Sequence, residues 1–155
     1  MSDGYGDSRV VKYDKNGRYI TSVGSKGSEP GKLNLPHTIA ADAKGNVYVG
    51  DRSNRRIQVF DNDLKFKAIY DQVGAPWAVC ITPGPHQVLF ASDGYPGRIY
   101  KLTLDGKVLG VLGATGHGPG QFGWIHELAC PSENVLYAAE LLNWRVQKLT
   151  LEPTQ

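Results

Sequence analysis

No apolar run in this chain approaches the roughly 20 residues that a membrane-spanning helix requires. The opening Met1-Ser2-Asp3-Gly4-Tyr5 is polar, so no signal peptide is expected on this chain, and no targeting segment marks a compartment. There is no Asn-x-Ser/Thr acceptor, no Ser/His/Asp or Cys/His pairing and no convincing helical periodicity. Cysteine is scarce: Cys80 and Cys130 stand alone with no CxxC spacing, and both are expected to be small buried hydrophobes. Excess charge is missing as well. A net +2 argues against a nucleic-acid or membrane surface driven by bulk charge, although Arg52, Arg55 and Arg56 form a local basic cluster. The glycine-rich Gly113-Ala-Thr-Gly-His-Gly-Pro-Gly-Gln-Phe122 lacks the Lys-Ser/Thr of a phosphate loop and is expected to be a linker, so His117 is not a site candidate. His86, in Pro83-Gly-Pro-His86, is expected to be a hairpin residue.

What the chain has in quantity is glycine, 19 residues, and proline, 9 residues, against a 41% hydrophobic background. With that much apolar content, the glycines and prolines read as turn punctuation between short strands and not as disorder. Four segments align without gaps: Arg9-Val-Val-Lys-Tyr-Asp14, Arg56-Ile-Gln-Val-Phe-Asp61, Arg98-Ile-Tyr-Lys-Leu-Thr103 and Arg145-Val-Gln-Lys-Leu-Thr150. Their starts lie 47, 42 and 47 residues apart, and each alternates apolar with polar residues as a half-buried strand does. An acid precedes each by five or six residues: Asp3, Asp51, Asp93 and Glu140. The recurring arginines are expected to hold these acids, a structural role.

Around each aligned segment lie further short strands. Innermost ones are expected at Thr38–Asp42, Ala78–Thr82 and Glu127–Cys130, and outermost ones at Tyr19–Val23, Phe66–Tyr70 and Val108–Leu112. Four antiparallel strands per repeat make the blade of a propeller, so the fold class is all-β. The blades divide the chain into a partial blade over 1–24, full blades over 33–72 and 74–113, and a partial blade over 122–151. A closed propeller needs at least about four blades, so one copy is expected to be an incomplete propeller.

The stretch from Pro36-His37 through Gly45-Asn46, Asp51, Asn54 and Arg56 to Phe60 resembles the NHL repeat. Within that superfamily the chain is most similar to the peptidyl-α-hydroxyglycine α-amidating lyases. The resemblance is carried by Ser2-Asp3-Gly4-Tyr5-Gly6-Asp7-Ser8-Arg9-Val10, Pro36-His37, Asp51-Arg52 and Ile125-His126-Glu127. It implies a six-bladed propeller with a catalytic zinc on the axis, held by three histidines from three blades, and a structural calcium nearby. By this resemblance His37 and His126 match two zinc histidines, Tyr5 the catalytic tyrosine, and Arg52 an arginine that faces the substrate carboxylate. The third histidine and another arginine lie in family blades that precede residue 1. Glu127 stands where the family carries an aspartate tied to calcium, which counts against calcium here.

The residue types suit this chemistry. Catalytic zinc takes three protein ligands plus water, and neutral imidazole serves it well. A tyrosine acts as a base when a nearby cation pulls its phenol down from about 10; zinc or Arg52 would do that. Arginine is the natural fork for a carboxylate. The alternative expectation is a non-catalytic NHL module that binds protein or RNA through Arg52, Arg55 and Arg56 with Trp124 and Trp144. Apolar blade faces left uncovered predict self-association, with two chains closing a ring of six. Such a ring would bring two copies of His37 and His126 to one channel, and four imidazoles would leave no open position for substrate.

Overall fold

The computed structural model describes residues 1–152. Alternating apolar residues and glycine-rich turns fold into four antiparallel sheets, each a meander whose strands follow chain order. The first holds β1 (Ser2–Asp3), β2 (Arg9–Tyr13) and β3 (Tyr19–Val23). The second is a full blade: β4 (Pro36–Ala41), β5 (Val47–Asp51), β6 (Arg56–Phe60) and β7 (Phe66–Tyr70). The third repeats it with β8 (Pro76–Ile81), β9 (Leu89–Asp93), β10 (Arg98–Leu102) and β11 (Val108–Leu112). In the connection that follows, β12 (Ala114–Thr115) pairs in parallel with β13 (Gln121–Phe122). The fourth sheet holds β14 (Ile125–Ser132), β15 (Val135–Glu140) and β16 (Arg145–Thr150). The described helical content is one 3-10 turn at Arg52–Asn54.

The first strands of successive blades lie side by side, β4 against β8 and β8 against β14, as the inner strands of a propeller do. Between blades the core is apolar. Tyr48, Ile57 and Val59 of one blade pack on Val79, Leu89, Ala91 and Leu102 of the next. The following joint sets Ala78, Phe90 and Ile99 against Phe122, Ile125, Leu128 and Leu136. Ile57, Ile99, Phe90 and Phe122 are wholly buried, and each such side chain contributes about 1.5–3 kcal/mol by leaving water.

Two expectations need correction. The inner strands begin two residues earlier than the alternating pattern indicated, so His37, Trp77 and His126 are strand residues. The reason is a register shift in each of these strands. Pro36 pairs with Asp51 but Thr38 pairs with Gly50, and Ile125 pairs with Glu140 but Glu127 with Ala139, which leaves His37 and His126 as the extra residues of β-bulges. In β8 the same shift falls between Pro76 and Val79, around Trp77. A bulged residue is released from the pleat and its side chain is re-aimed. Second, Cys80 and Cys130 are not free hydrophobes. They form a disulfide with a Cα–Cα distance of 6.1 Å, stapling β8 to β14 across a separation of 50 residues. Closing a loop of that length stabilises a fold by about 2–4 kcal/mol.

A candidate metal and carboxylate site at the inner-strand bulges

The site is positioned by a polar latch within the blades. In the second blade Asp51 is fully buried. It accepts hydrogen bonds from the Asn34 amide at 2.6 Å, Asn54 Nδ2 at 2.8 Å, Arg56 Nε at 2.8 Å and Gln58 Nε2 at 3.0 Å. Arg56 also donates to the carbonyls of Ser28, Glu29 and Lys32, which ties down the connection that leads into β4. The fourth blade repeats the set around Glu140 with the Gly123 amide, Asn143, Arg145 and Gln147, and Arg145 holds the carbonyls of His117, Gly118 and Gln121. Arg9 pairs with Asp3 at 3.2 Å and Asp7 at 2.9 Å. The expected acid-holding role is therefore seen for Arg9, Arg56 and Arg145. It fails for Arg98, which is exposed, while Asp93 accepts the Ala75 amide at 3.0 Å instead.

These latches bring two bulges together. The His37 and His126 ring centroids lie 4.9 Å apart. Two imidazoles on one tetrahedral ion, at about 2.0–2.1 Å each, would place their centroids roughly 5 Å apart. His37 Nδ1 lies 2.7 Å from the Trp77 carbonyl oxygen. A carbonyl only accepts, so Nδ1 carries the proton and Nε2 keeps its lone pair, the arrangement found in histidines that ligate metals. Burial holds His37 below the ordinary imidazole range; the Trp77 carbonyl opposes this, and the charges of Arg52 and His126 reinforce it. The ring is thus neutral, as ligation demands. In kind the pair fits zinc, but in number it is one ligand short. Among the described residues no group of three His, Cys, Asp or Glu side chains could share a metal.

Tyr5 stands over this pair, 6.2 Å from His37 between centroids and 78% exposed. It comes so close because Gly4 has no Cβ; a side-chain carbon there would collide with the Pro36 carbonyl. Arg52 enters from the 3-10 turn after β5, anchored by its amide to the Leu35 carbonyl. Its guanidinium lies 4.2 Å from the centre of the Trp77 ring, a contact worth about 1 kcal/mol. No ion pair of Arg52 occurs among the described residues, so its fork of donors is free. All four expected site residues therefore converge. Glu127 lies on the same strand, exposed, and its carboxylate accepts the Leu128 amide at 3.0 Å.

The expected basic surface does not form as a unit. Arg56 is buried on Asp51, Arg52 stacks on Trp77 and Arg55 alone of the three is exposed. Trp144 is 93% exposed and Trp124 packs instead against Trp77 and Tyr95. Sequence reasoning also missed the latch asparagines and Tyr95. The pattern Asp/Glu-x-x-Asn-x-Arg-x-Gln at 51–58 and 140–147 was a legible signal for the first.

The NHL repeat model matches residues 33–60, the blade that carries His37, Arg52 and the Asp51 latch. This blade is an NHL repeat, and the sheets around it fit an NHL β-propeller. NHL repeat-containing protein 3 of Homo sapiens is 39% identical over 103 residues, 66% of this chain and 28% of that protein. Peptidyl-glycine α-amidating monooxygenase A of Xenopus laevis is 26% identical over 152 residues, 90% of this chain and 16% of that protein. The NHL chain thus spans under a third of the length of these relatives. Among solved structures, the RRP9 WD40 repeats match with a TM-score of 0.74 at 15% identity, covering 93% of this chain and 44% of theirs, a likeness of fold.

Proposed function

We propose that this NHL chain contributes to a zinc-assisted carbon–nitrogen lyase site, which cleaves peptides ending in α-hydroxyglycine into a peptide amide and glyoxylate. The observation that carries the reading is the His37–His126 pair, held 4.9 Å apart at equivalent bulges with the His37 tautomer fixed by Trp77. The resemblance to the amidating lyases and the similarity to a protein named for peptidyl-glycine amidation support it. His37 Nε2 and His126 would hold the metal, with a third ligand from outside the described residues. A Lewis acid held at this point would lower the pKa of a substrate hydroxyl.

Arg52 binds the terminal carboxylate with its free fork and so fixes the α-carbon near the histidines. Tyr5 Oη takes the hydroxyl proton. The electron pair left on oxygen forms the C=O of glyoxylate, the bond between the α-carbon and the amide nitrogen breaks, and the proton taken by Tyr5 is returned to that nitrogen, which leaves as the peptide amide.

Elemental analysis and glyoxylate release test this reading together. Stoichiometric zinc is expected in purified protein, and His37→Ala or His126→Ala should remove most of it without unfolding the chain, because both side chains sit at bulges outside the inter-blade core. Turnover should need Tyr5 and Arg52. Protein without a transition metal, or with metal indifferent to both histidine changes, sinks the site. A second reading follows from the missing third ligand: a non-catalytic module whose partner is another propeller segment. Metal-free protein that still associates would favour it. RNA is disfavoured by the near-neutral charge and by the withdrawal of Arg56 from the surface.

A further inference from the structure

The third blade departs most from its neighbours at its bulge end. Where they carry His37 and His126 at the bulge, it carries Trp77. Gly94 occupies the position equivalent to Arg52, Pro96 that of Asn54 and Tyr100 that of Gln58, and the connection into β8, residues 71–75, is seven residues shorter than those into β4 and β14. These changes act together. A Cβ at Gly94 would collide with the pyrrole edge of Trp77, so the absence of a side chain there makes room for the indole. Although Asp93 keeps the place of Asp51, Arg98 is exposed and makes no ion pair with it, and Tyr95 and the Trp124 ring of the next blade pack on Trp77.

The result is a three-ring cluster. Trp77 lies 5.4 Å from Tyr95 and 5.6 Å from Trp124, and Tyr95 lies 5.5 Å from Trp124. Trp124 has a left-handed backbone, φ 55°, but its counterpart Leu35 shares that conformation at φ 60°. The geometry therefore belongs to the blade, and what is new is the aromatic side chain. Trp77 is 5% exposed, and its Nε1–H has no acceptor among the described residues. Tyr95 leaves 47% of its surface open although it touches two tryptophans. The free guanidinium of Arg52 lies over the same indole, 4.2 Å from its ring centre. An anion-binding fork and an open aromatic ledge therefore meet on one tryptophan.

We infer that Tyr95 and Trp124 form a side-chain subsite for an aromatic residue immediately before the terminal glycine of a peptide whose carboxylate is held by Arg52. This rests on the carboxylate-binding role given to Arg52 above. Aromatic rings meet edge-on or offset, which an exposed tyrosine at right angles to a tryptophan invites.

The test uses three small probes on the intact chain: acetyl-phenylalanyl-glycine, acetyl-alanyl-glycine, and the carboxamide of the first. The three indole N–H signals in a proton–nitrogen correlation spectrum report on Trp77, Trp124 and Trp144 separately. Acetyl-phenylalanyl-glycine should shift the signals of Trp77 and Trp124 and leave that of Trp144 unmoved, with an affinity about tenfold above the alanyl probe. The carboxamide should bind weakly. Tyr95→Ala should bring the phenylalanyl and alanyl probes to nearly equal affinity while leaving the alanyl probe unchanged, and Arg52→Gln should weaken both. Equal affinity in the unaltered protein, a preference that survives Tyr95→Ala, or signals that move at Trp144 as well, would overturn the subsite. Zinc content and glyoxylate release of the unaltered protein separate the two proposals. If zinc and turnover are absent while the phenylalanyl preference remains, the lyase reading alone has failed; zinc and glyoxylate without the preference remove the subsite alone.

Discussion

A buried carboxylate reveals its surroundings through its titration, and Glu140 shows this directly. Burial works to raise its pKa, yet the Arg145 guanidinium, the Gly123 amide, Gln147 and Asn143 outweigh it and hold the carboxyl below its ordinary 4.5. A carboxyl depressed in the folded state adds stability that is present above the unfolded value and is lost as pH falls through the folded one. Acid should therefore destabilise the chain below about pH 4.5, and Asp42, held low by Asn46 and the Lys44 amide against burial, adds to the same loss. Glu140→Gln should melt lower at neutral pH but lose less stability on acidification. Thermal unfolding across that range decides it, and parallel curves for the two proteins would refute the assignment. At this scale the sequence was partly legible. The acid and arginine were visible as a recurring pair, and Tyr5, Arg52, His37 and His126 stood out by resemblance. The shielding roles of Asn143 and Gln147 were not recognised, because Gln147 keeps the alternation of β16 and Asn143 lies in the turn before it.

Strands came through well where alternation was clean: Tyr19–Val23, Phe66–Tyr70 and Val108–Leu112 lie where the pattern puts them. The inner strands did not, because a bulge inserts one residue and resets the alternation, so the pattern starts only after His37 and His126. The disulfide was hidden for a different reason. Cys80 and Cys130 meet only because β8 and β14 are spatial neighbours in adjacent blades. The latch likewise makes a prediction that belongs to the element. Removing Arg56 strips the buried Asp51 of its cation and frees the 28–32 connection from three carbonyl contacts. Breaking such a buried pair from one side costs about 3–5 kcal/mol. Arg98→Ala, at the equivalent but exposed position, should stay within about 0.5 kcal/mol. Denaturant unfolding of the two variants measures the contrast, and similar losses would show that the arginine recurs for some reason other than the latch.

The same blade-to-blade logic governs the whole molecule. The joints between the second and third and between the third and fourth blades set one blade's Tyr48-type and Ile57-type residues against strands of the next. In the second blade those residues are 2% and 0% exposed, and in the third blade Phe90 and Ile99 are both at 0%. In the fourth, the equivalent Tyr137 and Val146 are 38% and 64% exposed, with Leu141 and Leu142 at 47% and 51% beside them. The first blade offers the opposite kind of face, where Tyr13, the counterpart of the wholly buried Phe60 and Leu102, is 44% exposed. These are the two halves of the joint that recurs inside the chain, so a second copy can supply to each face what a neighbouring blade supplies elsewhere. The chain alone is accordingly expected to self-associate at micromolar concentration, as two copies if the ring closes. The spare strands at either end should then exchange or fray. Val146→Glu should shift the equilibrium toward monomer, because a charge in that joint meets apolar residues, and should leave the monomer's own unfolding unchanged, because Val146 is largely exposed within one copy. Sedimentation or light scattering reads the outcome, and a sharp monomer mass for the unaltered chain would rule the joint out.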